Sequence, residues 1–112
     1  MEIETKTLQN CELVVVSGEL DSDTAPALEQ KLVTLIKSGT RNLVINLRDV
    51  TFISSVGLRA LLTAQIQVRR RIPRGRVAIS EIPSQLRRTF ELVGMDLMFD
   101  LYEHDQEAID SF

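Results

Sequence analysis

The feature that most constrains the fold is a repeated change of period in the apolar residues. Leu13-Val14-Val15-Val16 is a continuous, largely β-branched run, of the kind that suits a strand buried on both faces. Leu28, Leu32, Leu35 and Ile36 then recur at helical spacing and mark one apolar helix face. The pattern repeats. Leu43-Val44-Ile45-Asn46-Leu47 is a second strand-like run, and Leu58, Leu61, Leu62 and Ile66 a second helix face. Arg76 to Ser80 gives another strand through Val77, Ala78 and Ile79, followed by a helix with Leu86, Phe90 and Val93 on one side. Strands that alternate with helices in this way imply a mainly parallel sheet with the helices packed on it.

Polar and breaker residues set the remaining boundaries. Ile3 to Leu8 alternates weakly and reads as an edge strand. Gly18 and Asp21-Ser22-Asp23 end the next strand, Asp23 or Thr24 caps the first helix, and Pro26 fits its first turn. Ser38-Gly39 stops that helix. Arg48 to Gly57 reads as a polar connection. The second helix ends near Arg70 or Arg71, before Pro73 and Gly75; Pro83 or Ser84 opens the third, and Gly94 closes it. Met95, Leu97, Met98 and Phe99 read as a buried approach to a short strand over Met98 to Tyr102, with part of the stretch available as a dimer patch. Asp105 caps a terminal helix that reaches Phe112, its apolar face being Ala108, Ile109 and Phe112. The expected fold is α/β: a single domain over residues 1–112, a mostly parallel sheet of four to five strands, and about four helices. A chain of 112 residues can bury one modest core.

Composition excludes several classes of function. The formal net charge of -3 argues against a chain-wide surface for nucleic acid or anionic membrane. The first residues lack the basic and apolar regions of a secretory leader. No apolar run approaches the ~20 residues that span a bilayer, and Cys11 is the only cysteine, which fits a reducing compartment. The expectation is a cytoplasmic protein without membrane insertion. No His/Cys cluster has metal-ligand spacing, His104 reads as a linker residue, and no phosphate-binding loop or nucleophile elbow is present. Neither a cofactor nor a metal is expected, and the chain does not read as an enzyme. Arg69, Arg70, Arg71, Arg74 and Arg76 form a basic cluster. It reads first as a solvated helix end whose cations suit the helix dipole, and otherwise as a surface for an acidic partner. The arginines carry no interleaved aromatics for stacking single strands.

In open parallel sheets, binding sites gather where strand ends meet helix starts. Two such junctions are unusually polar here, residues 18–24 and 49–57. Ser54 and Ser55 stand just before the second helix, where one serine suffices as a cap. A second hydroxyl at a helix N-terminus is a good phosphate acceptor, because unpaired N–H groups and a partial charge of about +0.5 favour an anion there.

These two junctions resemble the two signature blocks of the STAS domain, and more narrowly those of the anti-sigma factor antagonists. Gly18-Glu19-Leu20-Asp21-Ser22-Asp23-Thr24-Ala25 is similar to the first block, and Asn46-Leu47-Arg48-Asp49-Val50-Thr51-Phe52-Ile53-Ser54-Ser55-Val56-Gly57-Leu58 to the second. Their order and the surrounding layout fit across nearly the whole chain. The resemblance implies a partner-switching protein. An anti-sigma factor with a kinase-type ATP site phosphorylates the serine two places before the glycine, which is Ser55 here, with Ser54 as the alternative. The unphosphorylated protein binds that anti-sigma factor and releases the sigma factor, phosphorylation blocks binding, and a serine phosphatase restores it. The resemblance places Asp21, Ser22, Thr24, Ser54, Ser55, Val56, Gly57 and Arg59 on the partner surface, with Asp21 beside the switch hydroxyl. The chain departs from the pattern where Ser54 replaces a common aspartate, Val56 a small residue, and Asn46 and Arg48 a common Asp and Ser. The family also contains STAS subunits that dock on a transporter or another signalling complex without a phosphate cycle, and that is the second reading. A monomer or weak dimer is expected, with no direct contact to nucleic acid.

Overall fold

A computed structural model describes residues 1–112. Five strands form one sheet in the spatial order of the chain: β1 (Glu2–Thr7), β2 (Glu12–Leu20), β3 (Asn42–Ile53), β4 (Arg76–Ser80) and β5 (Asp100–Tyr102). β1 pairs antiparallel with β2, and every other neighbour is parallel. The helices are α1 (Ala25–Lys37), α2 (Ser55–Arg69), α3 (Ser84–Leu92) and α4 (Asp105–Asp110).

The first three helices share one face of the sheet. Leu28, Leu32 and Ile36 of α1, Leu58, Leu61, Ala64 and Val68 of α2, and Leu86 and Phe90 of α3 pack with Val14, Val16, Leu43, Ile45, Val77 and Ile79 in a single core cluster. The opposite face carries a smaller cluster in which Ala108 of α4 meets Cys11, Val44 and Ala78. The central strand β3 is therefore covered on both sides. β2 is covered fully on only one, since Val14 and Val16 are buried whereas Leu13 and Val15 are half-buried. The expectation of a two-sided burial for the Leu13–Val16 run thus holds for one face only. β1, antiparallel and polar, leaves the far side of β2 partly open.

Three further boundaries differ from expectation. Arg48–Ile53 continues β3 instead of forming a loop. It pairs with β2 through two irregularities, between Val15 and Ser17 and between Gly18 and Glu19, each of which takes an extra residue from β3. Bulges of this kind break the two-residue period. The buried residues Leu47, Val50 and Ile53 are spaced by three, so the stretch does not look like a strand in sequence. Second, Met95–Leu97 is a turn of 3-10 helix, and β5 begins only at Asp100. Met95 and Phe99 are buried, but Leu97 is 85% exposed, and Val93, expected on the apolar face of α3, is exposed too. Third, the side chain of Asp105 does not cap α4. Its carboxylate turns to the sheet, where it accepts from Asn46 Nδ2 at 3.0 and 3.1 Å and from the Ser80 hydroxyl at 2.5 Å. Asn46 and Ser80 are buried, and this carboxylate supplies the partner that buried polar groups require.

Candidate functional site

The two polar junctions meet at the C-terminal ends of β2 and β3. Leu20 pairs with Ile53 at the last register position. The next backbone contact closes the join: Ser54 N donates to the Leu20 carbonyl at 2.9 Å. Asp21 and Ser55 each follow one of these two bonded residues, so the polar residues of both blocks surround one point on the surface.

The two serines divide their work. Ser54 is the N-cap of α2, with extended backbone angles, and its hydroxyl accepts from Gly57 N at 3.2 Å. Its carbonyl accepts from Leu58 N at 2.9 Å. Ser55 is the first helical residue and is exposed, and its hydroxyl has no hydrogen-bond partner within the protein. Ser54 is therefore committed to the fold while Ser55 presents a free hydroxyl over the first turn of a 15-residue helix.

Gly57 explains how the junction closes. A Cβ there would lie 2.7 Å from the Leu20 carbonyl oxygen and 2.8 Å from Leu20 Cγ, so the first turn of α2 can approach β2 only without a side chain. Gly57 is buried; it shapes the site from beneath and offers no side chain to a partner.

The first block folds into a self-contained turn. Asp21 Oδ1 accepts from Asp23 N at 2.9 Å and from Thr24 N at 3.1 Å. Thr24 Oγ1 accepts from Asp21 N at 2.9 Å and donates to the Glu19 carbonyl at 2.7 Å. Thr24 is the N-cap residue of α1, but its side chain makes no capping bond; the hydroxyl ties the turn back to β2 instead. The N–H groups of Asp23 and then Thr24 hold the Asp21 carboxyl below the usual carboxylate range. That carboxylate is spent on its own loop, and it makes no hydrogen bond to the Ser55 hydroxyl.

Ser22 and Arg59 are exposed, and Val56 is half-buried. Between the starts of α1 and α2 lies a cleft of about 100 Å³ lined by Ala25, Pro26, Glu29, Val56, Arg59 and Ala60. The sequence reading missed Pro26, Glu29 and the exposed Phe52. Phe52 lies two residues before Ser54 on the bulged part of β3, and it is 50% exposed. Only the register of that strand shows which way it points. Cys11 lies elsewhere, buried, with its thiol pushed up by burial and by the neighbouring Glu12 charge. No helix is long and apolar enough to cross a membrane.

A mostly parallel sheet thus gathers its polar turns around one exposed hydroxyl. The chain belongs to the STAS domain family, whose sequence profile matches residues 2–108. It is 33% identical over 99 residues to an anti-sigma-B factor antagonist of Staphylococcus aureus, covering 88% of this chain and 90% of that protein. The identity is 32% over 94 residues to the anti-sigma-F factor antagonist RsfB of Mycobacterium tuberculosis, covering 84% of this chain and 75% of the relative. The crystal structure of an anti-sigma factor antagonist from Mycobacterium paratuberculosis superimposes with a TM-score of 0.88 at 30% identity, covering 98% of this chain and 92% of that one.

Proposed function

We propose that this protein is an anti-sigma factor antagonist whose binding is switched by phosphorylation of Ser55. The observation that carries the reading is the division between the two serines. Ser54 Oγ is bonded to Gly57 N, while the Ser55 hydroxyl is exposed and unbonded. A kinase acting at Ser55 therefore breaks no structural hydrogen bond, whereas one acting at Ser54 must dismantle the cap.

The physical consequences suit a switch. A phosphate on Ser55 adds a charge of roughly -1.5 to -2. The partial positive charge of the α2 N-terminus tolerates it, so the helix survives. The surface changes sharply. A neutral hydroxyl becomes a dianion beside Asp21, which is ionised at neutral pH, and next to the cleft between α1 and α2. A partner that fits the unmodified hydroxyl and desolvates it must then bury an uncompensated charge, which costs on the order of 3–5 kcal/mol.

In this reading the unmodified protein acts in the cytoplasm. It binds an anti-sigma factor that carries a kinase-type ATP site and so frees the sigma factor. Phosphorylation ends the complex, and a serine phosphatase renews it. The nucleotide and its metal belong to the kinase. The protein itself is a binding module: the Asp21 carboxylate is occupied by its own turn and makes no hydrogen bond to Ser55.

The test is phosphopeptide mapping after incubation with the cognate anti-sigma kinase and ATP, paired with complex formation by the Ser55→Asp variant. One phosphate on Ser55 and loss of the complex are expected. A phosphate found on Ser54 alone overturns the site. No phosphorylation, with recovery of a transporter subunit in place of an anti-sigma kinase, overturns the switch itself.

A further inference from the structure

The C-terminal end of α2 carries a second surface that the switch does not use. Five of the chain's 13 Lys and Arg residues fall between Arg69 and Arg76, in a protein of net charge -3. Two of the five are engaged. Arg76 pairs with Asp100 at 2.9 Å and lies over the Phe112 ring, and Arg71 donates to the Ile36 carbonyl at 3.3 Å. Arg69, Arg70 and Arg74 are exposed and make no ion pair or side-chain hydrogen bond. A helix end needs at most a cation or two for its dipole. Three free guanidinium groups exceed that need.

The arginines do not stand on a flat polar surface. They border two adjoining hollows, of about 250 and 330 Å³, whose apolar walls are Ile66, Leu97, Met98 and Phe99, and whose one carboxylate, Asp100, is already paired with Arg76. Leu97 is 85% exposed, Ile66 38% and Met98 37%. The floor is fixed. Buried Gln65 donates to the Met98 carbonyl at 2.7 Å and to the Val77 carbonyl at 3.2 Å, and it accepts from Val77 N at 2.9 Å. This clamp ties the 3-10 turn to α2 and to β4, so the groove exists before anything binds.

The geometry points to a second docking site at this end, for an acidic segment of a protein partner that also carries leucine-like side chains. Free guanidinium groups fit carboxylates through paired hydrogen bonds. The hollows beside them fit short aliphatic groups that would cover Leu97 and Met98. A bilayer is the poorer occupant, because a planar lipid surface cannot fill a concave groove. α2 has 15 residues, and at about 1.5 Å per residue the groove lies on the order of 20 Å from Ser55. The two surfaces can therefore be occupied together, and phosphorylation leaves the second one unchanged.

Amide chemical-shift mapping of the full chain against a short synthetic peptide of paired Glu and Leu residues tests this. Saturable shifts at Arg69, Arg74, Leu97 and Met98 are expected, with those of Ser54–Gly57 unmoved. The exposed double variant Arg69→Glu/Arg74→Glu should weaken the peptide by about tenfold or more, and a Glu/Ser peptide of equal charge should bind about tenfold more weakly than the Glu/Leu one. The Ser55→Asp variant should bind the peptide as the parent does. Shifts centred on Ser55, equal binding by the charge-reversed variant, or equal binding of the leucine-free peptide would each overturn the proposal. So would binding to phosphatidylglycerol vesicles with none to the peptide, or a self-association in sedimentation that the Arg69→Glu/Arg74→Glu change abolishes.

Discussion

The two ends of α2 are built alike and equipped differently. Each is held close to the sheet by a glycine packed against a backbone carbonyl. At the N-terminal end, Gly57 faces the Leu20 carbonyl; just past the C-terminal end, Gly75 faces that of Arg41. Each end then presents polar groups with no partner inside the protein: the Ser55 hydroxyl at one, and the guanidinium groups of Arg69, Arg70 and Arg74 at the other. The chemistry follows the helix dipole. The hydroxyl proposed to take up a phosphate stands at the positive end and the cations stand at the negative end. A neutral hydroxyl can be switched by adding charge, whereas a fixed arginine cluster cannot. On the proposed reading, regulation belongs to one end and constant attraction to the other.

The sharpest way to break this comparison is to exchange charge at each end and measure binding to the anti-sigma kinase by calorimetry. Ser55→Asp is expected to weaken that complex by about 3 kcal/mol, on the order of a hundredfold in Kd. Arg69→Glu/Arg74→Glu should leave it within about threefold. A large loss from the arginine variant would mean that one partner spans both ends and that the division is wrong.

The structural likeness of the ends is tested by giving each glycine a methyl group. On Gly75 it would overlap the Arg41 carbonyl oxygen and Val68 Cγ2 together, and the Arg76 N to Arg41 carbonyl bond of 2.8 Å holds that backbone in place. Gly75→Ala should cost about 3 kcal/mol. On Gly57 the nearest atoms are Leu20 O at 2.7 Å, Leu20 Cγ at 2.8 Å and Ile53 Cγ1 at 3.0 Å. These contacts overlap less deeply than those at Gly75, so Gly57→Ala should cost less, about 2 kcal/mol. Urea midpoints rank the two. The reverse order would show that the first turn of α2 is the more tightly constrained.

Much of this architecture is visible in the sequence, and what is hidden has physical causes. Strand-helix alternation from Leu13 to Phe90 follows from period alone, because the helices bury one face each while the inner strands carry continuous apolar runs. The ends of the elements are less visible. Two bulges spread Leu47, Val50 and Ile53 to a spacing of three, so the strand that delivers Ser54 and Phe52 looks like a loop. Met95 to Phe99 reads as an apolar run, but its local 3-10 turn sends Met95 inward and Leu97 outward. Asp105 looks like a cap, yet it serves Asn46 and Ser80, which no local pattern connects to it. At the site itself, two adjacent serines before a helix show that one is spare without showing which. Only the hydrogen bond to Gly57 N separates them.

That bond supplies a smaller test. Ser54→Ala removes the cap and should cost about 1 kcal/mol in unfolding free energy, while the kinase still phosphorylates Ser55. If Ser54→Ala abolished phosphorylation in protein shown by circular dichroism to be folded, Ser54 would have a role in the reaction beyond capping.

The smallest expected effect concerns the charge beside the switch. Asp21 has its carboxyl held low chiefly by the N–H of Asp23 and then by Thr24. A carboxyl whose folded pKa lies below its unfolded value, near 3.9, contributes stability above that unfolded value. The contribution is lost as pH falls through the folded one. Asp21→Asn keeps an oxygen that can accept from Asp23 N and Thr24 N, so it removes only the charge-assisted part of those bonds. Wild type should therefore melt slightly higher than Asp21→Asn at neutral pH, and the two curves should converge as the pH drops below about 4. A melting difference that stayed constant into acid would show that the Asp21 carboxylate charge contributes nothing to the turn.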